Sequence, residues 1–125
     1  MTADQKGAYK VALAALDAAG GVLALLNPEG VDLIITRFVV DVTTKSTGAC
    51  TVDAGIAADA TTSNDTLLDG LDVGTAIGLF DNIENQGTNG VAAKKWPAAQ
   101  YLNISKASGA AAGLVGNAYI DYVRV

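Results

Sequence analysis

The chain has 125 residues, a formal net charge of −5 and 14 glycines, but no histidine and only one cysteine. This length predicts a single domain. The acidic balance argues against binding to nucleic acid or to an anionic membrane, because both require basic side chains. The sequence also offers no zinc site, no Cys–His or Ser–His catalytic pair and no internal disulfide. We therefore expect a protein that is not an enzyme and binds no cofactor.

The N-terminal part of the chain predicts an arm followed by a domain. Residues 1–8 are small and polar, and we expect a flexible arm there and one β-sandwich domain over residues 9–125. Tyr9–Leu16 is compatible with a helix and with a strand, because its apolar residues fit both periodicities. The apolar run Val22–Leu26 favours a buried strand, and Asn27–Gly30 is typical of a turn.

Leu33–Val42 is the clearest strand. Strict alternation predicts that one set of side chains faces the core, namely Ile34, Thr36, Phe38, Val40 and Val42. The opposite face mixes apolar and charged residues, as subunit contacts do. We expect Ile35, Arg37 and Val39 to form an oligomer interface there, or to be covered by another segment of the chain.

A Thr- and Gly-rich loop over Thr43–Gly48 leads into a second strand, Ala49–Ile56, and predicts a first hairpin. The lone Cys50 shares the apolar face of that strand, so we expect it to be a small core residue. Residues 57–75 are rich in Ala, Asp, Thr and Gly and predict a long exposed excursion. A short strand is expected around Ile77–Phe80.

A second hairpin is expected near the C-terminus. Lys94–Pro97 opens it, and Tyr101–Ser105 and Leu114–Val125 form its strands. Tyr119 and Val123 lie on a second face of mixed character and join the expected oligomer interface. About eight strands in one domain predict an all-β, antiparallel β-sandwich of jelly-roll type.

Two segments could bind small ligands. Asp65, Asp69 and Asp72 cluster in residues 64–72 and could offer oxygens to calcium, but their spacing does not match an EF-hand loop, so a solvated acidic loop is preferred and no metal is expected. Trp96 follows two lysines and could contact a sugar or phosphate, although a Trp beside proline more often packs at a sheet edge.

Charge is distributed unevenly along the chain. Residues 31–72 hold seven aspartates against two basic residues, whereas residues 86–125 hold four basic residues against one aspartate. Such poles can orient head-to-tail contacts between proteins. Solvated charge that maintains solubility is the alternative explanation.

Several segments resemble small structural proteins of tailed bacteriophages. They are Asn27–Gly30, Ile35–Arg37, Asp41–Thr44, Thr47–Gly55, Leu68–Thr75, Phe80–Asn82 and Ala107–Gly116. This resemblance spans roughly residues 9–125 and brings no catalytic motif. It implies a β-sandwich that decorates or cements the capsid exterior, commonly as a trimer, in contact with the major capsid protein. The expected location is then the virion, after synthesis in the host bacterial cytoplasm.

The sequence thus predicts a capsid decoration protein. We expect Lys6 and Tyr9, at the N-terminal arm and its junction with the domain, to contact the capsid. The alternative is a tail or fibre-tip module that touches a host surface glycan through the loops at residues 57–75 and 85–96. In that case Trp96 would be the central contact residue.

Overall fold

A computed structural model describes residues 5–14 and 21–125. In these ranges the regular structure consists of nine β-strands. They are β1 (Lys6–Ala12), β2 (Gly21–Leu26), β3 (Leu33–Thr44), β4 (Cys50–Ala57), β5 (Leu68–Asp72), β6 (Gly78–Asp81), β7 (Lys94–Trp96), β8 (Tyr101–Gly109) and β9 (Val115–Arg124). No helix in the described part of the chain is long and apolar enough to span a membrane.

The strands form two antiparallel sheets that enclose one core. Sheet A has the order β1-β9-β3-β6, with β7 also paired to β3, and sheet B has the order β2-β8-β4-β5. Apart from β7, the strands pair from the two ends of the chain inward: β1 with β9, β2 with β8, β3 with β6 and β4 with β5. This nesting is that of one long antiparallel hairpin folded over on itself, which is a jelly roll. The predicted jelly-roll sandwich is confirmed, with nine strands.

The two predicted hairpins are wrong in their pairing. β3 lies in sheet A and β4 in sheet B, so Thr43–Gly48 crosses between the sheets. β8 and β9 are separated in the same way. β3 pairs instead with β9, and β4 with β8. Turn chemistry shows where a chain reverses, but it does not show which strand becomes the neighbour.

The core lies between the sheets and is built from side chains of both. Its largest fully buried members include Trp96, Phe38, Leu33, Ile35, Leu67, Leu68, Leu102, Ile104 and Ile120. Cys50 is buried among them, as predicted, and removal from water raises the pKa of its thiol. In β9 the buried residues are Ala118, Ile120 and Tyr122, which alternate with the predicted interface residues Tyr119 and Val123.

A β-bulge in β3 changes which residues face the core. Ile35 is paired with Tyr122 of β9, but the next pair joins Arg37 to Asp121, so Thr36 is an extra residue in its strand. An extra residue of this kind breaks the alternation of side chains along a strand. The two halves of β3 therefore have opposite parity.

This bulge corrects the predicted faces of β3. The residues that are buried are Leu33, Ile35, Phe38, Val40 and Val42. Ile34 is 37% exposed and Ile35 is 0% exposed, the reverse of the expectation. Ile35 therefore packs inside its own chain and has no surface to offer to another copy. A period-two pattern carries no signal for a single inserted residue.

The outer face of sheet B is covered by residues 58–66, and we call it the covered face. The Asn103 amide donates to the carbonyl oxygens of Asp59 (2.8 Å) and Thr62 (3.0 Å). The hydroxyls of Ser63 and Ser105 also hydrogen-bond across this contact, at 2.7 Å. The covering segment is thus tied to the middle of the sheet at several points.

The expected exposed excursion over residues 57–75 is confirmed for residues 58–63, which are exposed to solvent on their outer side, and is wrong for the part that follows. Its first half packs so closely that a Cβ at Gly55 would lie 2.5 Å from Asn64 Oδ1. Its second half contains β5, and Leu67 and Leu68 are fully buried. Small polar residues are common both in segments that pack closely on a sheet and in segments surrounded by solvent. Composition alone therefore does not distinguish the two.

The N-terminal boundary also differs from the prediction. Lys6, Gly7 and Ala8 belong to strand β1 and pair with Val123, Tyr122 and Asp121, so they are not part of an arm. The ambiguous segment from Tyr9 continues this strand to Ala12. Residues 1–4 and 15–20, which include Leu16, lie outside the described residues.

Candidate interaction surfaces

The outer face of sheet A has no covering segment among the described residues, and we call it the open face. Its members follow from the register of β1, β9, β3 and β6. They are Lys6, Ala8, Lys10, Ala12, Asn117, Tyr119, Asp121, Val123, Ile34, Arg37, Val39, Asp41, Leu79 and Asp81. Facing partners on neighbouring strands lie on the same side of a sheet, so these side chains form one continuous surface.

The open face brings together most of the predicted contact residues. Val39 pairs directly with Tyr119, and Arg37 lies in the next row. Val123 and Lys6 are partners in register, and they line one shallow groove. The sequence reasoning missed Ile34, which faces Val123 across the sheet and is exposed because of the bulge.

The charged side chains of the open face are held in place by their neighbours. The ammonium group of Lys10 lies 5.7 Å from the centre of the Tyr119 ring, a cation–π distance. Arg37 pairs with Asp81 at 3.3 Å. The N–H groups of Glu84 and Ile83, followed by the Arg37 guanidinium, lower the pKa of Asp81. Exposed pairs of this kind add little stability, but they fix the pattern of charge on the face.

A buried asparagine holds the strand just beyond the bulge. Asn82 is fully buried, and its Oδ1 accepts from the N–H of Phe38 at 2.9 Å. Its amide nitrogen donates to the carbonyls of Val91 (2.9 Å) and Ala92 (3.1 Å). One side chain thus joins β3 to the loop after β6. Nothing in the sequence pattern separates Asn82 from the other asparagines of that loop.

A polar cluster ties the predicted turn at Asn27–Gly30 to β9. Glu29 accepts from the hydroxyl of Tyr122 (2.5 Å) and from Arg124 (2.7 Å), and Arg124 also donates to the carbonyl of Lys6. Arg124 and then Tyr122 lower the pKa of Glu29. Burial, followed by the Glu29 carboxylate, raises the pKa of Tyr122 to about 12. The cluster thus holds the turn against β9 and, through Arg124, holds β9 against the start of β1.

The edge of the sandwich at β5 and β6 exposes large apolar side chains. Ile77 is 64% exposed, Leu79 71% and Ile83 54%. All three lie in or next to the short edge strand β6, which pairs with β3 and with no other strand of the described ranges. The short strand around Ile77–Phe80 is confirmed, but its sequence did not show that it lies at an edge.

The two candidate ligand sites are not supported. Trp96 is fully buried and its indole N–H donates to the carbonyl of Gln100, so it cannot stack on a sugar. Among the described residues there is no group of three or more acidic, Cys or His side chains arranged to hold a metal. Asp65 and Asp69 instead accept hydrogen bonds from Asn89.

The fold is similar to that of one solved structure, described as the capsid of Ralstonia phage GP4. The TM-score is 0.58 and the sequence identity is 20%, and the match covers 96% of this chain and 83% of that chain. At this identity the similarity concerns the fold. No protein-family model and no curated protein matches the chain. The fold of this chain is thus also found in a phage capsid.

Proposed function

We propose that the chain is a structural protein of a tailed-phage virion, which decorates the capsid exterior as a homotrimer and contacts the major capsid protein. The observation that carries this proposal is the similarity in fold to the phage capsid structure over 96% of the chain. The resemblance of the sequence to phage structural proteins points the same way. Decoration requires no reaction chemistry, because it works through contact area and mass action on the assembled shell.

The open face supports a role in contacts between copies. It presents Val39, Tyr119 and Val123, which are partly exposed, among Lys10 and Arg37. Surfaces of this mixed character are common in protein interfaces, where apolar residues are surrounded by charged ones. The covered face already has an intramolecular partner, so the open face is the better candidate.

The virion location is tested with particles purified by density gradient from a lysate that produces this chain. Mass spectrometry of the particles and antibody–gold electron microscopy follow the protein. We expect the chain to remain with the particles and the label to spread over the heads. Absence from purified particles would overturn the virion role. Label confined to the tail tip would replace decoration with the tail-module alternative.

The trimer is tested by light scattering after size exclusion over a range of concentrations. A mass of three chains is the expected result. A single-chain mass at every concentration would remove solution trimers from the proposal, but would leave the virion role to the particle experiment.

We do not propose glycan binding by a fibre tip. That alternative depended on Trp96, which is buried, and on a loop over residues 57–75, half of which packs on the covered face while the other half contains β5. No exposed aromatic residue replaces Trp96 in residues 85–96, because it is the only aromatic residue of that segment.

A further inference from the structure

The two lateral edges of the sandwich differ in charge. One edge is formed by β1 and β2, which are connected by the hydrogen bond from Ala14 N–H to the Val22 carbonyl. The other is formed by β5 and β6 with their loops, which the hydrogen bond from Asp69 N–H to the Gln86 carbonyl joins. We call them the β1/β2 edge and the β5/β6 edge. They lie at opposite ends of the strand order in both sheets.

The β5/β6 edge is acidic and apolar. Residues 64–93, which form β5, β6 and their loops, contain five carboxylates and no lysine or arginine. One of the five, Asp81, is paired with Arg37 of β3. Asp69, Asp72 and Glu84 of this set line one depression between β5 and β6. Beside them, Ile77, Leu79 and Ile83 are each more than half exposed. Clustered exposed side chains of this size are typical of a contact surface.

The β1/β2 edge has the complementary character. The two strands contain Lys6 and Lys10 and no carboxylate. Their connection, which carries Asp17, lies outside the described residues. Tyr9 is 39% exposed on β1 and Leu26 is 48% exposed on β2, so apolar surface accompanies the positive charge here as well.

We infer that the β5/β6 edge of one copy binds the β1/β2 edge of the next, in a head-to-tail contact that closes the homotrimer. The inference rests on the proposed self-association and names its contact. Opposite charges bring the two edges together, and the apolar residues of segment 77–83 are buried against β1 around Tyr9. Such a contact joins two different surfaces, and it closes a ring of three when each copy is rotated by one third of a turn relative to the last, whereas any rotation that does not close would give an open filament. Lys6 and Tyr9 then contact another copy, in place of the shell contact expected from the sequence.

The strand directions fit this arrangement. β1 runs antiparallel to β9, β9 to β3, and β3 to β6, so β1 and β6 are antiparallel to each other. Rotation about an axis along the strands preserves their direction. β6 of one copy is therefore antiparallel to β1 of the next copy, as neighbouring strands within each sheet are. With sheet A on the inner side of such a ring, the open faces of all copies turn towards the axis.

Site-directed crosslinking tests which surfaces meet. Leu79→Cys and Tyr9→Cys place one accessible thiol on each edge, while the native Cys50 is buried. With a short bis-maleimide we expect crosslinked dimers in a mixture of the two variants, and none from either variant alone. Val115→Cys, mixed with Tyr9→Cys, is the matched control, because Val115 is also exposed but lies at the end of the central strand β9. Dimers formed by Leu79→Cys alone would overturn the inference in favour of a symmetric contact, and so would the absence of dimers in the mixture.

Charge reversal provides an independent test. Lys10→Glu and Glu84→Lys should each weaken self-association measured by light scattering, by about tenfold. The chain that carries both changes should recover most of the loss. Lack of recovery would contradict the pairing of these edges. If the crosslink forms but purified particles carry no label, the contact is supported and the proposed function is overturned. If the particles are labelled but no crosslink forms, the proposed function is supported and this contact is overturned.

Discussion

The two outer faces of the sandwich are built from the same kind of sheet, but only one has a cover within the described residues. Sheet B carries residues 58–66 on its surface, tied down through Asn103 and fitted closely over Gly55. Sheet A leaves Tyr119, Val39 and Val123 beside lysine and arginine side chains. A face that the chain covers for itself contributes to folding, whereas a face left open is available for assembly. Changes on the two faces should therefore affect different measurements.

The largest effect on folding is expected at Asn82, which supports sheet A from its edge. Asn82→Ala removes three hydrogen bonds of a fully buried side chain. At about 1 kcal/mol for each bond, the free energy of unfolding should fall by about 3 kcal/mol. Urea unfolding measures this loss. Asn85→Ala is the control, since its side chain caps a single N–H group, that of Asp81, and should cost about 1 kcal/mol. Equal losses in the two variants would contradict the role of Asn82 at the bulge.

A smaller effect is expected when the cover of sheet B is released. Asn103→Ala removes the two hydrogen bonds to Asp59 and Thr62, at a cost of about 2 kcal/mol. Limited proteolysis should then cleave within residues 58–66 at concentrations that leave the wild type intact. Ser105→Ala breaks only the exposed bond to Ser63 and should leave the segment resistant. Resistance of the Asn103 variant would show that packing over Gly55 and the bond between Ser63 and Ser105 are sufficient to hold the cover.

A change on the open face should separate folding from assembly. Tyr119→Ala removes a partly exposed ring and its contact with Lys10, so we expect a loss of about 1 kcal/mol in stability. Self-association should fall much more steeply, because the proposed trimer uses this face. Lys10→Met is the control, because it keeps the length of the side chain and removes its charge, and so separates the contribution of the lysine charge from that of the Tyr119 ring. Unchanged oligomer mass for Tyr119→Ala would show that the open face is not a subunit contact.

The smallest expected effect is the response of the cover to acid. The Thr62 hydroxyl, together with the N–H groups of Thr61 and Thr62, lowers the pKa of Asp59 below its ordinary 3.8. A carboxyl with a lowered folded-state pKa stabilises the fold above its unfolded pKa, and this contribution disappears as pH falls through the folded value. Stability should therefore decrease less between pH 4 and pH 2 in Asp59→Asn than in the wild type. Parallel pH profiles would assign the acid sensitivity to other groups, such as Asp72 and Asp81.

The sequence was most informative where the local pattern and the packing agree. The alternation in Phe38–Val42 identified the core face of that part of β3, and the number of predicted strands identified an all-β sandwich. It failed at Thr36, because a bulge adds one residue without changing composition. It also did not show that the largely exposed residues 58–66 pack on sheet B, because the residue types of a solvated loop are also those that pack closely on a sheet. The pairing of β3 with β9 was hidden for a different reason. Partners 71 to 91 residues apart leave no local signal, whatever the turns between them.

The position of β9 has a consequence for how the protein is made. This strand lies between β1 and β3, yet it is the last of the nine to leave the ribosome. Until residues 115–124 are available, β1 has no neighbour and sheet A remains in two pieces. Contacts of such long sequence separation form slowly. We therefore expect folding of sheet A to wait for the synthesis of β9, and ribosome-bound fragments that stop before β9 should remain sensitive to protease.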